Sequence, residues 1–368
     1  MKNYNYQSLL ACILRIILGA VFVFSGFVKA IDPLGTVYKI EDYLTAFGGF
    51  FNLFMPIAGI IAGILIAVEF ALGVMLLLNV FTKWVKWITL LFYICMTILT
   101  LYIAIKNPVS DCGCFGDAIV ISNWETFWKN VILLICAILL ICCKKYRQQF
   151  FVWPMELAIL CISVLAIGGF MVYSLQHLPI IDFRPYKIGN NLLELMEYPE
   201  DAEPDVYDVK LVYAKDGVEY EFTQDNYPRN DSTWVFVSQN STLIKQGYVP
   251  PIHDFEIINS DYEDITYDIL ESETPVTLAI MYDLGKTDME QAKRLNELYT
   301  ACVERGEMFY AVTGSGEDEI ISYALQTNAE YPICTCDPVT LKTIVRANPG
   351  IIVVQQGVVM DKYNLRNR

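Results

Sequence analysis

Histidine is almost missing from this chain: His177 and His253 are the only two among 368 residues. A histidine-rich metal centre is thereby excluded, and neither residue is spaced as a further zinc ligand beside a cysteine pair. Nor can a Ser-His-Asp arrangement be built from one histidine just past an apolar run and another in a Pro-rich stretch. The phosphate-cradling glycine patterns GxGxxG and GxxxxGK(S/T) are absent, and positive charge is scarce, 26 Lys and Arg against 41 Asp and Glu. Nucleic acid and nucleotides are therefore poor partners.

Charged residues make up only 18% of the chain while 55% is apolar, and the two are segregated. Residues 1–175 carry 11 Lys and Arg against 8 Asp and Glu, a net of +3; residues 176–368 carry 15 against 33, a net of −18. The boundary near Leu175 divides a membrane part from a part in water. Five stretches, about 9–28, 55–80, 87–105, 124–143 and 150–175, are apolar over roughly the 20 residues that a spanning helix needs. Arg15 and the poor cleavage triplet Val28-Lys29-Ala30 make the first a span, not a signal peptide. Residues 47–80 exceed one crossing, and Gly48, Gly49 and Pro56 predict a re-entrant or interfacial segment ahead of the second span. The fourth enters through an amphipathic turn bearing Trp124 and Trp128.

Lys2, Lys83, Lys86, Lys144, Lys145 and Arg147 put the N-terminus and the turns after spans two and four in the cytoplasm. The loops after spans one and three then lie outside. An odd number of spans carries the acidic half to the same oxidising side of a bacterial plasma (inner) membrane, the periplasm in a Gram-negative cell.

Between spans three and four sits Asp111-Cys112-Gly113-Cys114-Phe115-Gly116-Asp117. Two cysteines one residue apart can close a tight, easily reduced disulfide, bind a soft metal, or exchange disulfides with a partner. Exchange is the preferred reading, with a structural bridge and a metal site left open. Asp111 and Asp117 would raise a neighbouring thiol pKa by repelling its thiolate, unless Lys106 or Lys129 lies near. Glu69, at mid-span, is costly there and calls for a partner inside the bundle. Arg15 on the opposing span is the expected partner, and a proton or quinone-site role is the alternative. Lys29 and Asp32, at the outer end of span one, line the same mouth as Cys112. Glu156 is expected to snorkel toward water. Cys12, Cys95, Cys136, Cys142, Cys143 and Cys161 read as small apolar residues of the spans.

Arg15-Ile-Ile-Leu-Gly19 running into Phe24-Ser-Gly-Phe-Val-Lys29-Ala-Ile-Asp-Pro33, then Glu69-Phe-Ala-Leu-Gly73 and above all the CGCFG run, resemble the DoxX/MauE family over about residues 9–143. The resemblance implies a four-helix membrane bundle associated with redox work and, for its MauE branch, disulfide formation in a partner enzyme. Cys112 and Cys114 would be the redox pair and an extracytoplasmic protein the client or redox partner. No cofactor is specified; a quinone is compatible with a carboxylate beside a redox loop.

Farther on, period-two alternation predicts strands over 206–213, 218–222 and 233–237, with a turn at Lys215-Asp216-Gly217. From Pro250 the pattern becomes strand 276–282, helix 288–304, strand 308–313, helix 317–328, helix 338–346 and strands 350–355 and 358–363, a mixed sheet covered by helices. This order resembles the thioredoxin-like fold, with Pro250-Pro251-Ile-His-Asp254-Phe255 similar to the entry of peroxiredoxin-type members and Pro349 at the family's cis-proline position. Pro349 would shape a groove for an extended peptide. Where an active thioredoxin carries CxxC at a helix mouth, this chain has Asp283-Leu-Gly-Lys-Thr-Asp288 and no thiol. Asp288 instead caps the helix, with Gln291 three residues on. Cys334 and Cys336 would point to one face of a strand, as packing or as a relay for the membrane pair, and Cys302 reads as core.

The expected architecture is thus a membrane α-helical bundle followed by a soluble α/β thioredoxin-like domain. Its parts are a four-helix membrane domain (1–145), a fifth transmembrane helix (146–176), a β-rich connecting region (177–249) and the thioredoxin-like domain (250–368). The expected function is thiol-disulfide exchange at the CxC loop with client binding by the degenerate thioredoxin-like domain. The alternative is a non-catalytic membrane scaffold presenting an acidic binding domain.

Overall fold

The computed structural model describes residues 6–109, 112–143, 151–229, 231–245 and 247–367. Lys2, Asp111, Lys144, Lys145 and Arg147, invoked above for orientation and charge, lie outside the described residues.

The first helix, α1 (Tyr6–Ile31), buries Ala11, Leu14, Leu18, Phe22, Ser25 and Lys29, a stripe at three- and four-residue spacing that makes one face of the helix an interior face. Two of those six are polar, so the stripe that packs the bundle also carries chemistry into it. Asp32 then accepts a bond from the Gly35 amide at 3.0 Å and, with Pro33 in the first turn, starts a second helix, α2 (Pro33–Phe47). No apolar run in the sequence announces this helix. A 3-10 segment, Gly49–Ile57, follows in the place of the expected interfacial stretch and runs into α3 (Ala58–Leu78). Then come α4 (Thr82–Lys106), α5 (Asn123–Cys142, opened by a Ser122/Glu125 capping box) and α6 (Trp153–Gln176). Helices α1, α3 with its 3-10 lead, α4, α5 and α6 are long and apolar enough to cross a bilayer, so the chain is a multi-pass membrane protein.

Helix α1 runs antiparallel to α3, because Gly19 lies against Leu77 whereas Gly26 lies against Phe70. A Cβ added to Gly26 would meet the Phe70 backbone nitrogen at 2.7 Å, and one at Gly73 the Val23 nitrogen at 2.6 Å. Small residues let the two backbones approach this closely, as is usual between membrane helices. Gly26→Ala is therefore expected to cost ~2 kcal/mol through overpacking, read as a lowered thermal midpoint of the detergent-solubilised protein. An unchanged midpoint would mean that the backbones are free to separate. Glu156 does not snorkel: it is buried, and its Oε1 accepts from the Phe81 amide at 3.1 Å, occupying a free donor at the start of α4.

Beyond α6, a short helix, α7 (Leu192–Met196), precedes an antiparallel three-stranded sheet with β1 (Val206–Lys215) between β2 (Val218–Thr223) and β3 (Val235–Lys245). The rest alternates: α8 (Thr266–Leu270), β4 (Val276–Met281), α9 (Met289–Arg305), β5 (Met308–Thr313), α10 (Glu317–Thr327), β6 (Ile333–Thr335), α11 (Pro338–Ile344), β7 (Gly350–Gln355) and β8 (Val358–Asn364). The sheet order is β6-β5-β4-β7-β8, with β4, β5 and β6 parallel and β7 and β8 antiparallel. Every residue of β4 is buried, as its run of apolar residues broken only by Thr277 suits a central strand covered on both faces. The unit is thioredoxin-like. Helix α11 ends two residues earlier than its pattern predicts, because Val345 is extended (φ −144°, ψ 137°), and this leaves Arg346 outside the helix.

Candidate functional site

The CxC loop is tied down at both ends. Asn107 caps α4 in a left-handed conformation, and Asn123, at the start of α5, donates from Nδ2 to Asn107 Oδ1 (2.7 Å) and to the Val109 carbonyl (2.9 Å). Between these anchors the chain turns tightly at Gly113 (φ 63°), where the left-handed region favours glycine and where a side chain would strike the Lys39 methylenes. The result brings Cys112 Sγ and Cys114 Sγ to 2.9 Å, about 0.9 Å longer than a disulfide bond. Both are thiols here, and both are buried, at 7% and 9% exposure.

Under Cys114 lies a buried polar cluster on the stripe of α1. Lys29 Nζ bonds both carboxylate oxygens of Glu69, at 2.9 and 2.8 Å, and donates to Ser25 Oγ at 2.9 Å. Ser25 Oγ in turn lies 2.8 Å from Glu69 Oε2 and 2.8 Å from the Cys114 carbonyl oxygen. A hydroxyl has one proton, so Ser25 serves the carboxylate or the loop carbonyl, not both at once. Tyr43 on α2 fixes the other cysteine, donating to the Cys112 carbonyl at 2.6 Å.

The ion pair corrects the expected Arg15–Glu69 partnership. Antiparallel packing sets Glu69 opposite Ser25 and Lys29, whereas Arg15, 14 residues earlier and so about 21 Å along the helix, lies with Met75, Leu76, Asn79 and Lys86 around a separate pocket of about 390 Å³ at the other end of the bundle. The signal for Lys29 was present in the sequence, since Ser25 and Lys29 fall on the three- and four-residue spacing of the apolar stripe.

The two thiols differ in character. A hydrogen bond from Cys112 pulls the Cys114 thiol down to about 6, against burial and with help from Lys129 and Lys29. The same bond, followed by burial, pushes Cys112 up. One proton shared between two sulfurs accounts for both directions. Lys129, whose Nζ sits 4.1 Å over the Phe115 ring, thus supplies the nearby cation that the flanking aspartates called for. Lys29, Glu69, Lys129 and Cys114 line one pocket of about 330 Å³ with Phe22, Phe92 and Tyr93. Such an arrangement favours a thiolate near neutral pH at a site shielded from bulk water.

Residues 7–143 match the family of the methylamine utilisation protein MauE. The MauE-type part therefore takes in α1 to α5 and the CxC loop. Residues 207–246 match a domain of unknown function, DUF8463, which coincides with the three-stranded sheet. No curated protein matches the chain. A solution structure described as "a putative protein disulfide isomerase from Bacteroides thetaiotaomicron" is similar over 31% of this chain and 77% of that one, at 13% identity and a TM-score of 0.27. That overlap is too loose to carry anything about chemistry.

The cysteines of the acidic half lie apart from the CxC site. Cys334 and Cys336 both enter the core of the thioredoxin-like unit, where burial pushes their thiols up to about 11 and about 12, and Cys302 is buried on α9. Burial of this kind suits packing. The Asn348–Pro349 bond is cis, as the resemblance implied, and Pro349 is buried. Asn348 fastens the thiol-free turn, donating to the Asp283 carbonyl (2.9 Å) and accepting from the Asp283 amide (3.2 Å).

Proposed function

We propose that this chain is a membrane thiol-disulfide exchange protein whose redox centre is the Cys112–Cys114 pair, facing the extracytoplasmic side and acting on a protein client. The juxtaposition of the two sulfurs above the Lys29–Glu69–Ser25 cluster carries this reading, because it provides a stabilised thiolate with its resolving thiol in contact. The orientation is supported by the sorting of charge: Arg15 and Lys86 share the end of the bundle opposite to the CxC loop, and basic residues favour the cytoplasm. In the oxidising direction, a client thiolate attacks one sulfur of the Cys112–Cys114 disulfide and forms a mixed disulfide. The client's second thiolate then displaces the protein's cysteine, so that two electrons and two protons pass from client to pair.

The test uses the full-length oxidised protein in nanodiscs, mixed with a reduced two-cysteine peptide. The peptide should lose the mass of two hydrogen atoms while two alkylatable thiols are gained at Cys112 and Cys114. A peptide that stays reduced would sink the proposal. The scaffold alternative draws on the burial of both cysteines and the thiol-free turn. It predicts that client disulfides in cells are the same with a Cys112→Ser/Cys114→Ser variant as with wild type.

A further inference from the structure

The face of the thioredoxin-like unit that bears the cis-proline is turned onto the membrane part. Tyr282, at the end of β4, and Lys342, on α11, meet Tyr38 of α2: Lys342 Nζ is 4.9 Å from the Tyr38 ring and 5.9 Å from the Tyr282 ring. Arg346, freed by the early end of α11, reaches farthest. Its Nε bonds Asp32 Oδ2 at 2.8 Å, its Nη2 bonds Asp117 Oδ2 at 3.1 Å, and its guanidinium stacks 5.3 Å from Tyr38. Asp32 is the cap of α2 and Asp117 belongs to the CxC loop, so one buried guanidinium joins α2 to the loop. Burial opposes the charge, but the two carboxylates outweigh it and hold Arg346 protonated. Gly35 leaves room for this, since a Cβ there would come within 3.0 Å of Nη2.

Helix α2 is thus held on both sides. Tyr43 and Lys39 rest on the CxC loop, and Tyr38 rests on the thioredoxin-like unit. We infer that the thioredoxin-like unit is a latch on its own CxC loop: Arg346 holds α2 and the loop together over Cys112 and Cys114, and a protein client gains the sulfurs only when this contact opens. The physical reason is electrostatic. Removing the guanidinium removes the two charge-assisted bonds by which Arg346 joins Asp32 of α2 to Asp117 of the loop, so that α2 and the loop lose this link. The partner of the cis-proline face is therefore the same chain's CxC loop, and not an external extended peptide. The consequence for exchange rests on the redox reading, whereas the latch itself does not.

The experiment compares reduced full-length wild type, Arg346→Gln and Asp117→Asn in nanodiscs by amide hydrogen exchange over residues 112–118 and by alkylation of Cys112 and Cys114 with a polymer-linked maleimide. Both rates should rise on the order of tenfold in Arg346→Gln, and by less in Asp117→Asn, which keeps the bond to Asp32. Cys334 and Cys336, in the core of the thioredoxin-like unit, should stay protected throughout, which separates opening from unfolding. If Arg346→Gln unfolds, the milder Asp117→Asn decides. Unchanged hydrogen exchange at 112–118 in a folded variant overturns the latch. A loop that opens as expected in a protein that never exchanges with the dithiol peptide overturns the redox reading and leaves the latch standing.

Discussion

Cys114→Ser abolishes capture of a disulfide substrate, whereas Cys112→Ser accumulates it: this is the expected result when each reduced variant meets an oxidised two-cysteine peptide. Of the two thiols, that of Cys114 is the lowered one, down at about 6, so Cys114 is the expected nucleophile: its thiolate attacks the peptide disulfide and displaces one peptide thiolate, which takes a proton from solvent. Cys112, whose sulfur lies 2.9 Å away, then attacks Cys114 Sγ and releases the peptide fully reduced. Removing the second thiol stops the sequence at the mixed disulfide, and mass spectrometry should find a near-stoichiometric adduct. Removing the first thiol leaves only a sulfur whose pKa is pushed up, and no adduct should form near neutral pH. Equal capture by both variants would overturn the assignment.

The pH dependence follows with its sign. The thiolate is the nucleophile, so the wild-type rate should be near its plateau above pH 7 and fall through a midpoint near 6 as Cys114 is protonated. The largest cause of the lowered pKa is the bond from Cys112. Cys112→Ser keeps a donor and should keep a low midpoint, but Cys112→Ala loses it and should shift the midpoint upward. A midpoint that does not move would assign the effect to Lys129 and Lys29 instead.

The second large effect is on stability. Lys29 and Glu69 are 5% and 2% exposed and bond one another through both carboxylate oxygens, so removing one partner leaves a charge in the interior without its counter-charge. Lys29→Met or Glu69→Gln alone should cost about 3–5 kcal/mol, the usual penalty for breaking a buried pair. The double variant should cost less than either, since neither charge is then stranded, and this non-additivity is the measurement that identifies the pair. Thermal midpoints of the four proteins in one detergent give the cycle. Additive losses would mean that the two side chains act independently. Arg15→Met should not join this cycle, because Arg15 lies at the opposite end of the bundle.

Much of the architecture was legible because it depends on local pattern. The apolar runs located the helices that can span a membrane, and the order of strands and helices after Pro250 located β5 and β7 to the residue. The CxC loop also stood out, since it places two cysteines one glycine apart in a polar gap between apolar runs. Helix α2 escaped because residues 33–47 mix charge and apolar side chains without a long hydrophobic run, and its amphipathic face makes sense only against the loop and the unit that it separates. The partner of Glu69 was misassigned for a related reason. Arg15 and Lys29 are both cations on α1, and which of them faces Glu69 depends on the register between α1 and α3, set by the close contacts at Gly26 and Gly73.

Composition, spacing and period therefore sufficed for the membrane class, the thioredoxin-like order of strands and helices, and the pair of thiols, since each of these is written over neighbouring residues. Which cation meets Glu69 and that Arg346 joins Asp32 to Asp117 were settled by folding alone. Those contacts bring together residues 40 to more than 300 positions apart, and no local pattern records them.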